Sequence, residues 1–327
     1  MACRAGTADY IVGLRTGQGC CDIGLVRDSS ADHSNRLVCS STRTLARTNE
    51  RMESGMGRTK QKTLTQGVLI FAFNNEATDY LALAAWSAKN IQRHLNLPVA
   101  VVTDAPEEAA KYTFEHIIVT APDTGGSRHF ADYGTTVTWH NAGRINAYEL
   151  SPFDQTLVLD ADYVVASDAL LDVLKIPQQF AAFKDAFEPS SMTNLETFGE
   201  YKVPMWWATV MMFRRGTVSQ YIFDSMQMIR NNWQHYRDLY GIHQSNYRND
   251  YALSIALGLV AGADQSVHEI FRPMLNVMPD HGLTCTEQDH YEITYTNTEG
   301  RLKTMSWSGL DFHAMCKKHL EAIVAAS

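Results

Sequence analysis

Thr156-Leu157-Val158-Leu159-Asp160-Ala161-Asp162-Tyr163-Val164-Val165 is the stretch that most constrains this chain: an apolar β run, two carboxylates one residue apart, then apolar sequence again. An uncharged run of this length with β-branched residues reads as a buried strand of a parallel sheet, and such strands carry ligands at their carboxyl ends. Asp160 and Asp162 are therefore expected at a strand tip. In an extended chain residues i and i+2 face the same side, so both carboxylates address one point from which Ala161 turns away. Two hard anionic ligands that close together repel each other unless a divalent cation, Mg²⁺ or Mn²⁺, lies between them and a phosphate. The competing reading is a strand-end turn with two solvated aspartates. The uncharged strand, and the Ser151-Pro152-Phe153-Asp154 turn that launches it, favour the metal site.

The sequence before this strand alternates. Residues 67–73 read as a buried strand, closed by the turn and cap chemistry of Asn74-Asn75-Glu76. Helix 78–95 follows, with Leu83, Ala84, Ala88 and Ile91 on its inner stripe. Then come a strand at 97–104 ending in Asp104, a helix at 107–111 and a strand at 116–119. This β/α order implies an α/β fold with a parallel sheet and right-handed crossovers. Further on, the pattern predicts a turn-rich loop at 125–134, a helix at 139–150, a short helix at 168–174 and a strand at 180–183. An aromatic-rich loop with Trp206-Trp207 runs into a strand ending near Phe213. One long helix is expected over 217–240, with Tyr221, Ile222, Phe223, Met226 and Ile229 in its core stripe.

Composition narrows the classes. The chain has 327 residues and a formal net charge of −8, with 45% hydrophobic and 20% charged residues, as in an ordinary globular protein. No apolar stretch approaches the roughly 20 residues that span a bilayer, and residues 1–25 are too broken by polar residues for a secretory signal, so a cytoplasmic location is the default expectation. Four of the six cysteines lie in the first forty residues and none has zinc-like spacing, which points to free thiols. Residues 1–62 are rich in Ser, Thr, Gly and Arg without apolar periodicity, and read as disordered or as an extraneous upstream extension. They hold ten of the 28 basic and six of the 36 acidic residues, so the remainder carries a formal charge of −12. A body of that sign binds polyanions only through a local basic patch.

The segment from Tyr148 to Asp162, with Leu-Ser-Pro-x-Asp, a strand and then Asp-x-Asp, resembles the nucleotide-binding part of GT-A glycosyltransferases, especially the family-8 type that includes glycogenin. A further likeness is to glycosyltransferase-like proteins of tailed bacteriophages, and it covers about residue 67 to the end of the chain. The resemblance implies a GT-A, Rossmann-like fold with a mostly parallel central sheet. It implies one catalytic domain over 63–327, with a nucleotide-binding half at 67–165 and an acceptor half at 166–327. In that family the loop after the first strand and the acid after the second hold the donor nucleoside, roles that fall here on Phe73, Asn74, Asn75 and Asp104. For Asn74, Asn75 and Asp104 helix capping is the alternative. A basic residue ahead of the Asp-x-Asp lies near the donor's phosphates or base, here Arg144, whose alternative is a surface position on an amphipathic helix.

Tyr247-Arg248-Asn249-Asp250-Tyr251 resembles the family's Asn/Gln-Asp segment, whose acid contacts the transferred sugar or acceptor hydroxyl; a plain helix cap is the other reading. Asp250 takes that role, supported by Asn249, with Asp185 as a second acid that would position or deprotonate the acceptor. The family completes the metal shell with a C-terminal His and holds the diphosphate with a following Lys. His313 would then join Asp160 and Asp162, while Lys317 or Lys318 meets the diphosphate. The chain lacks the family's His-x-x-Gly-x-x-Lys-Pro-Trp pattern, and the alternative for His313 is a surface position on a C-terminal helix.

Together these imply a transferase that uses Mn²⁺ or Mg²⁺ and moves a sugar from a nucleotide-sugar, UDP-sugar favoured, to an acceptor hydroxyl. Family-8 likeness favours retention of configuration. The phage likeness points to 5-hydroxymethylpyrimidine in DNA as an acceptor, in the host cytoplasm, with glycan, polysaccharide or protein acceptors as alternatives. A sugar-phosphate nucleotidyltransferase would need a Gly-rich, basic phosphate loop after the first strand, and Phe73-Asn74-Asn75-Glu76 is not one. A non-catalytic nucleotide-sugar-binding protein remains open.

Overall fold

A computed structural model describes residues 64–121, 126–130, 135–139, 141–191, 196–260 and 267–327. All of them fall in the compact unit Lys60–Ser327. The expectation for residues 1–62 lies outside the described residues.

The alternating first half folds as β1 (Gln66–Phe71), α1 (Tyr80–Leu95), β2 (Val99–Thr103), α2 (Pro106–Ala109) and β3 (His116–Val119). The side chain of Asp79 accepts the Ala82 N–H and starts α1, and Asn96 closes it in the left-handed region at φ 52°. Residues 126–130 and 135–139 pair antiparallel as β4 (Gly126–Phe130) and β5 (Thr135–Trp139), so strand pairing runs through the stretch expected to be a loop. The helix expected over 139–150 is shorter and tighter. Trp139 ends β5, Asn141–Asn146 is a 3-10 turn, and only α3 (Ala147–Leu150) is α-helical before Ser151 leaves in the extended region.

Then follow β6 (Gln155–Leu159), β7 (Tyr163–Val164), α4 (Leu170–Lys175), β8 (Phe180–Phe183), β9 (Ala186–Phe187), the hairpin of β10 (Thr197–Phe198) and β11 (Val203–Pro204), and β12 (Trp207–Arg214). The long helix expected over 217–240 is broken at Asn232 into α5 (Thr217–Asn231) and α6 (Trp233–Leu239). The Asn232 side chain, a poor helix former, bonds back to Met228 O at 2.8 Å. Within α5, Tyr221 faces solvent while Ile222, Phe223, Met226 and Ile229 are buried. The chain ends with α7 (Asn249–Val260), β13 (Val267–Glu269), β14 (Met274–Val277), the meander β15 (Gly282–Glu287), β16 (His290–Thr296) and β17 (Leu302–Ser308), β18 (Phe312–Ala314) and α8 (Lys317–Ala326).

The central sheet has seven strands in the order β13-β8-β12-β6-β1-β2-β3. β1 pairs parallel with β2 and β6, β2 with β3, and β13 with β8; β12 runs against both β6 and β8. The fold is thus mixed α/β with a mostly parallel central sheet. Because helices cover both faces, the inner strands carry buried residues at successive positions and not only at alternate ones, whereas the edge strand β3 is largely exposed. Val68, Ile70, Leu157, Leu159 and Met212 pack with α1, α4 and α8, whereas Leu69, Phe71, Val158, Met211 and Phe213 pack with α5 and α7. Each such Leu or Ile contributes about 1.5–3 kcal/mol by leaving water.

A second sheet, β7-β18-β14-β9, takes over the chain just past the tip of β6. It brings the C-terminal residues back to the carboxyl edge of the central sheet. Among the described residues no helix is long and apolar enough to cross a membrane.

Candidate active site

Parallel register sets the site. Ile70 of β1 lies beside Leu159 of β6 and Val101 of β2, so Phe73, Asn74, Asn75, Asp104 and Asp160 all follow strand ends on one sheet edge. Through Met211↔Val158 and Trp207↔Phe183, the start of β12 and Asp185 reach that edge as well. The other residues expected to serve the site are carried to this edge by the 3-10 turn Asn141–Asn146, α7, β18 and α8.

Asp160 and Asp162 converge by a route other than the expected extended strand. Asp160 N–H bonds Thr209 O at 3.0 Å, and Asp160 O accepts the Tyr163 N–H at 3.0 Å. The chain turns at Ala161 and Asp162, with Ala161 buried. β18 then pairs antiparallel with β7, His313 opposite Tyr163, and Ala314 N–H bonds Asp162 O at 2.9 Å. His313 Nε2 lies 3.2 Å from Asp162 Oδ2 and 3.9 Å from Asp160 Oδ2. One ligand atom from each of Asp160, Asp162 and His313 falls within 4.8 Å of the others. His313 stands on a strand and is 9% exposed, not on the surface of a helix.

Two cations flank the carboxylates. Arg144, 4% exposed on the 3-10 turn, pairs with Asp160 through Nη2 and donates Nη1–H to Ala208 O at 2.7 Å. Burial lowers its pKa to about 10, against the pull of Asp250 and Tyr247, so it stays charged at neutral pH. It is not a surface Arg. Lys317, on the first turn of α8, pairs with Asp162 and lies 5.8 Å from the centroid of the Tyr80 ring. Lys318 points to solvent, and Lys317 is the lysine at the carboxylates.

Asp250, at the start of α7, accepts the Ala208 N–H at 2.9 Å and an Arg248 Nη2–H at 2.9 Å. Burial works to lower the Arg248 pKa, but Asp250 and Tyr251 outweigh it and the net shift is upward. Asn249 is buried beside it, and Asp185 is exposed at the sheet edge. In the first loop, Asn75 Oδ1 accepts the N–H groups of Ala77 and Thr78 at 2.9 Å, and Asn74 Oδ1 accepts that of Leu81 at 2.9 Å. These carbonyl oxygens therefore cap the approach to α1, and Phe73 is buried beneath them. Asp104 is exposed, and the cap position of α2 belongs to Ala105.

Sequence reasoning missed Asn276. It is 6% exposed, pairs in register with His313 across β14 and β18, and places Oδ1 3.1 Å from His313 Nδ1. A lone polar residue inside the apolar run Met274-Leu275-Asn276-Val277 was the signal that could have found it.

The donor set fits a divalent ion. The amide oxygen of Asn276 can only accept; a neutral His313 that donates Nδ1–H to it carries its lone pair on Nε2, the atom nearest the two carboxylates, an arrangement that a cation between them relieves. Two oxygen donors and an imidazole nitrogen suit Mn²⁺.

No known protein-family model matches the chain, and no curated protein sequence does. Solved structures similar to it include galactosyltransferase LgtC in complex with donor and acceptor sugar analogs, at 16% identity over 65% of this chain and 76% of that one, TM-score 0.42. The glycosyltransferase GlyE in Streptococcus pneumoniae TIGR4 is 14% identical over 63% of this chain and 45% of its own, TM-score 0.36. A glycosyltransferase involved in the glycosylation of the major capsid of PBCV-1 is 13% identical over 65% of this chain and 84% of its own, TM-score 0.35.

Proposed function

We propose that this chain is a metal-dependent glycosyltransferase that takes a nucleotide-sugar, with a UDP-sugar favoured, and transfers its sugar to an acceptor hydroxyl. The observation that carries the reading is the Asp160, Asp162 and His313 set at the carboxyl edge of the sheet, with a lysine alongside. Asp160, Asp162 and His313 would hold a divalent ion. When bound, that ion supplies Lewis-acid neutralisation of the diphosphate leaving group. Lys317 adds a point charge for the same phosphates, and it reaches them by turning from Asp162. Arg144 keeps Asp160 in place from behind, bonded at once to its carboxylate and to the β12 backbone. Asp250, both oxygens hydrogen-bonded, is fixed to position an acceptor hydroxyl, and exposed Asp185 stands at the same edge.

The test is release of free nucleoside diphosphate from UDP-, GDP- and dTDP-sugars with Mn²⁺, for wild type and Asp162→Asn. Addition of hydroxymethylcytosine-containing DNA, or of a glycan acceptor, distinguishes acceptor classes. Metal-dependent release lost in the folded variant supports the reading. Absence of both turnover and donor binding in wild type overturns it and leaves a different task for the carboxylate pair.

A further inference from the structure

We infer that Asn276 is a positioning residue, one that sets which nitrogen of His313 is available to a metal ion. The inference rests on the metal-centred reading above and deepens it, since nothing in the Asp-x-Asp pattern points to residue 276. β14 and β18 are parallel, and Asn276 and His313 are register partners whose side chains leave the same face of the ladder. Both are buried, at 6% and 9% exposure, so water does not compete for their contact. The amide oxygen of Asn276 sits 3.1 Å from Nδ1. An acceptor there holds the ring proton on Nδ1, because the neutral imidazole has one N–H and one lone pair. The lone pair is then on Nε2, the atom that faces Asp162 Oδ2 at 3.2 Å and Asp160 Oδ2 at 3.9 Å.

The backbone reinforces this alignment. Met315 N–H bonds Val277 O at 2.8 Å, and Ala314 N–H bonds Asp162 O at 2.9 Å, so the backbone just after His313 is tied both to the residue after Asn276 and to the Asp-x-Asp turn. The ring's remaining freedom is rotation about its own side-chain bonds, and the Asn276 bond restricts it. Groups that orient a metal-binding histidine in this way change metal affinity by about 10- to 100-fold when removed.

The experiment is Mn²⁺ binding followed by the loss of the free-ion EPR signal, with UDP present, for wild type, Asp162→Asn, Asn276→Leu and Asn276→Asp. Aspartate at 276 can only accept, so it preserves the bond to Nδ1–H; leucine cannot. Asn276→Leu is expected to weaken Mn²⁺ binding about 10-fold or more and Asn276→Asp to retain it within about 3-fold. Asp162-dependent binding that is unchanged in Asn276→Leu overturns the inference and spares the metal centre. A wild type that binds no Mn²⁺ overturns the metal-centred reading itself. Should Asn276→Leu fail to fold, ring ¹⁵N shifts of His313 in the wild-type protein decide the matter: an Nδ1–H tautomer supports the inference and an Nε2–H tautomer refutes it.

Discussion

Asp250 and Arg144 grip Ala208 from its two sides: Asp250 Oδ1 accepts its N–H at 2.9 Å and Arg144 Nη1 donates to its carbonyl oxygen at 2.7 Å. Arg144 continues to Asp160, and Asp160 N–H returns to Thr209 O. The start of β12 therefore ties the acid on α7 to the first acid of the Asp-x-Asp. Both links meet on the backbone of β12, so the relative placement of the two acids depends on the start of that strand and on the buried Arg144 of the 3-10 turn.

Arg144→Met removes a buried cation from a carboxylate and from a backbone carbonyl at once. Breaking a buried pair from one side costs about 3–5 kcal/mol, because the partner keeps its desolvation penalty. Urea midpoints should show a loss of that order, with Arg144→Lys intermediate, since an ammonium lacks the fork that serves two acceptors. A loss below about 1 kcal/mol for Arg144→Met would mean that Asp160 is solvated and the clamp is idle.

The sheet was legible because burial on both faces leaves a plain mark: unbroken apolar runs at 68–73 and 157–159. Helix ends were less so. Asn232 breaks a helix whose apolar stripe continues up to it, and its local back-bond to Met228 O is a side-chain detail that apolar periodicity does not encode. In the site, Asp160 and Asp162 announced themselves by their spacing, and His313 and Lys317 were reached only through family resemblance, since over 150 residues separate them from the carboxylates. Asn276 carried no resemblance and one polar letter in an apolar strand, so it stayed unread. The Ala208 clamp was invisible for a different reason: its acceptor and donor are backbone groups, which every residue has.

Gly67 shows how closely β1 and the Ser151-Phe153 turn fit. A methyl group at position 67 would fall inside van der Waals contact of three Phe153 ring carbons, and that ring is buried. Gly67→Ala should cost about 1–3 kcal/mol by overpacking. Adding Phe153→Leu to it should recover part of the loss, so thermal melts of the two single variants and the pair should be non-additive. Additive losses would show that the strand shifts to accommodate the methyl.

Lys317 and Lys318 are adjacent yet face different surroundings, one at Asp162 and one toward solvent. If the diphosphate reading holds, Lys317→Met weakens UDP binding by about 1.5–3 kcal/mol, the range for hydrogen bonds to charged groups, or roughly 10- to 100-fold in Kd. Lys318→Met should leave it within about 2-fold, as a solvated charge does. Calorimetric titration of UDP with Mn²⁺ separates the two; equal effects would assign the phosphate charge to the general field of the helix start instead.

Asp311 lies beside the site and gives the fold a pH dependence. Its Oδ1 accepts the Ala166 N–H at 2.8 Å and the Ser167 hydroxyl at 2.9 Å, yet burial pushes the carboxyl up to about 6 from an ordinary 3.8. A carboxyl raised in the folded state prefers its neutral form there. Its contribution to stability is thus fully present below about pH 4 and is lost as pH rises through about 6. Asp311→Asn keeps an acceptor for both donors and deletes the charge. The urea midpoint of the variant minus that of wild type should rise between pH 4 and 6.5 and then level off, with a span on the order of 1 kcal/mol once solvent screening at this partly open position is counted. Subtraction cancels the other titrating groups, so a difference that stays flat over that window would place the Asp311 carboxyl in its ordinary range.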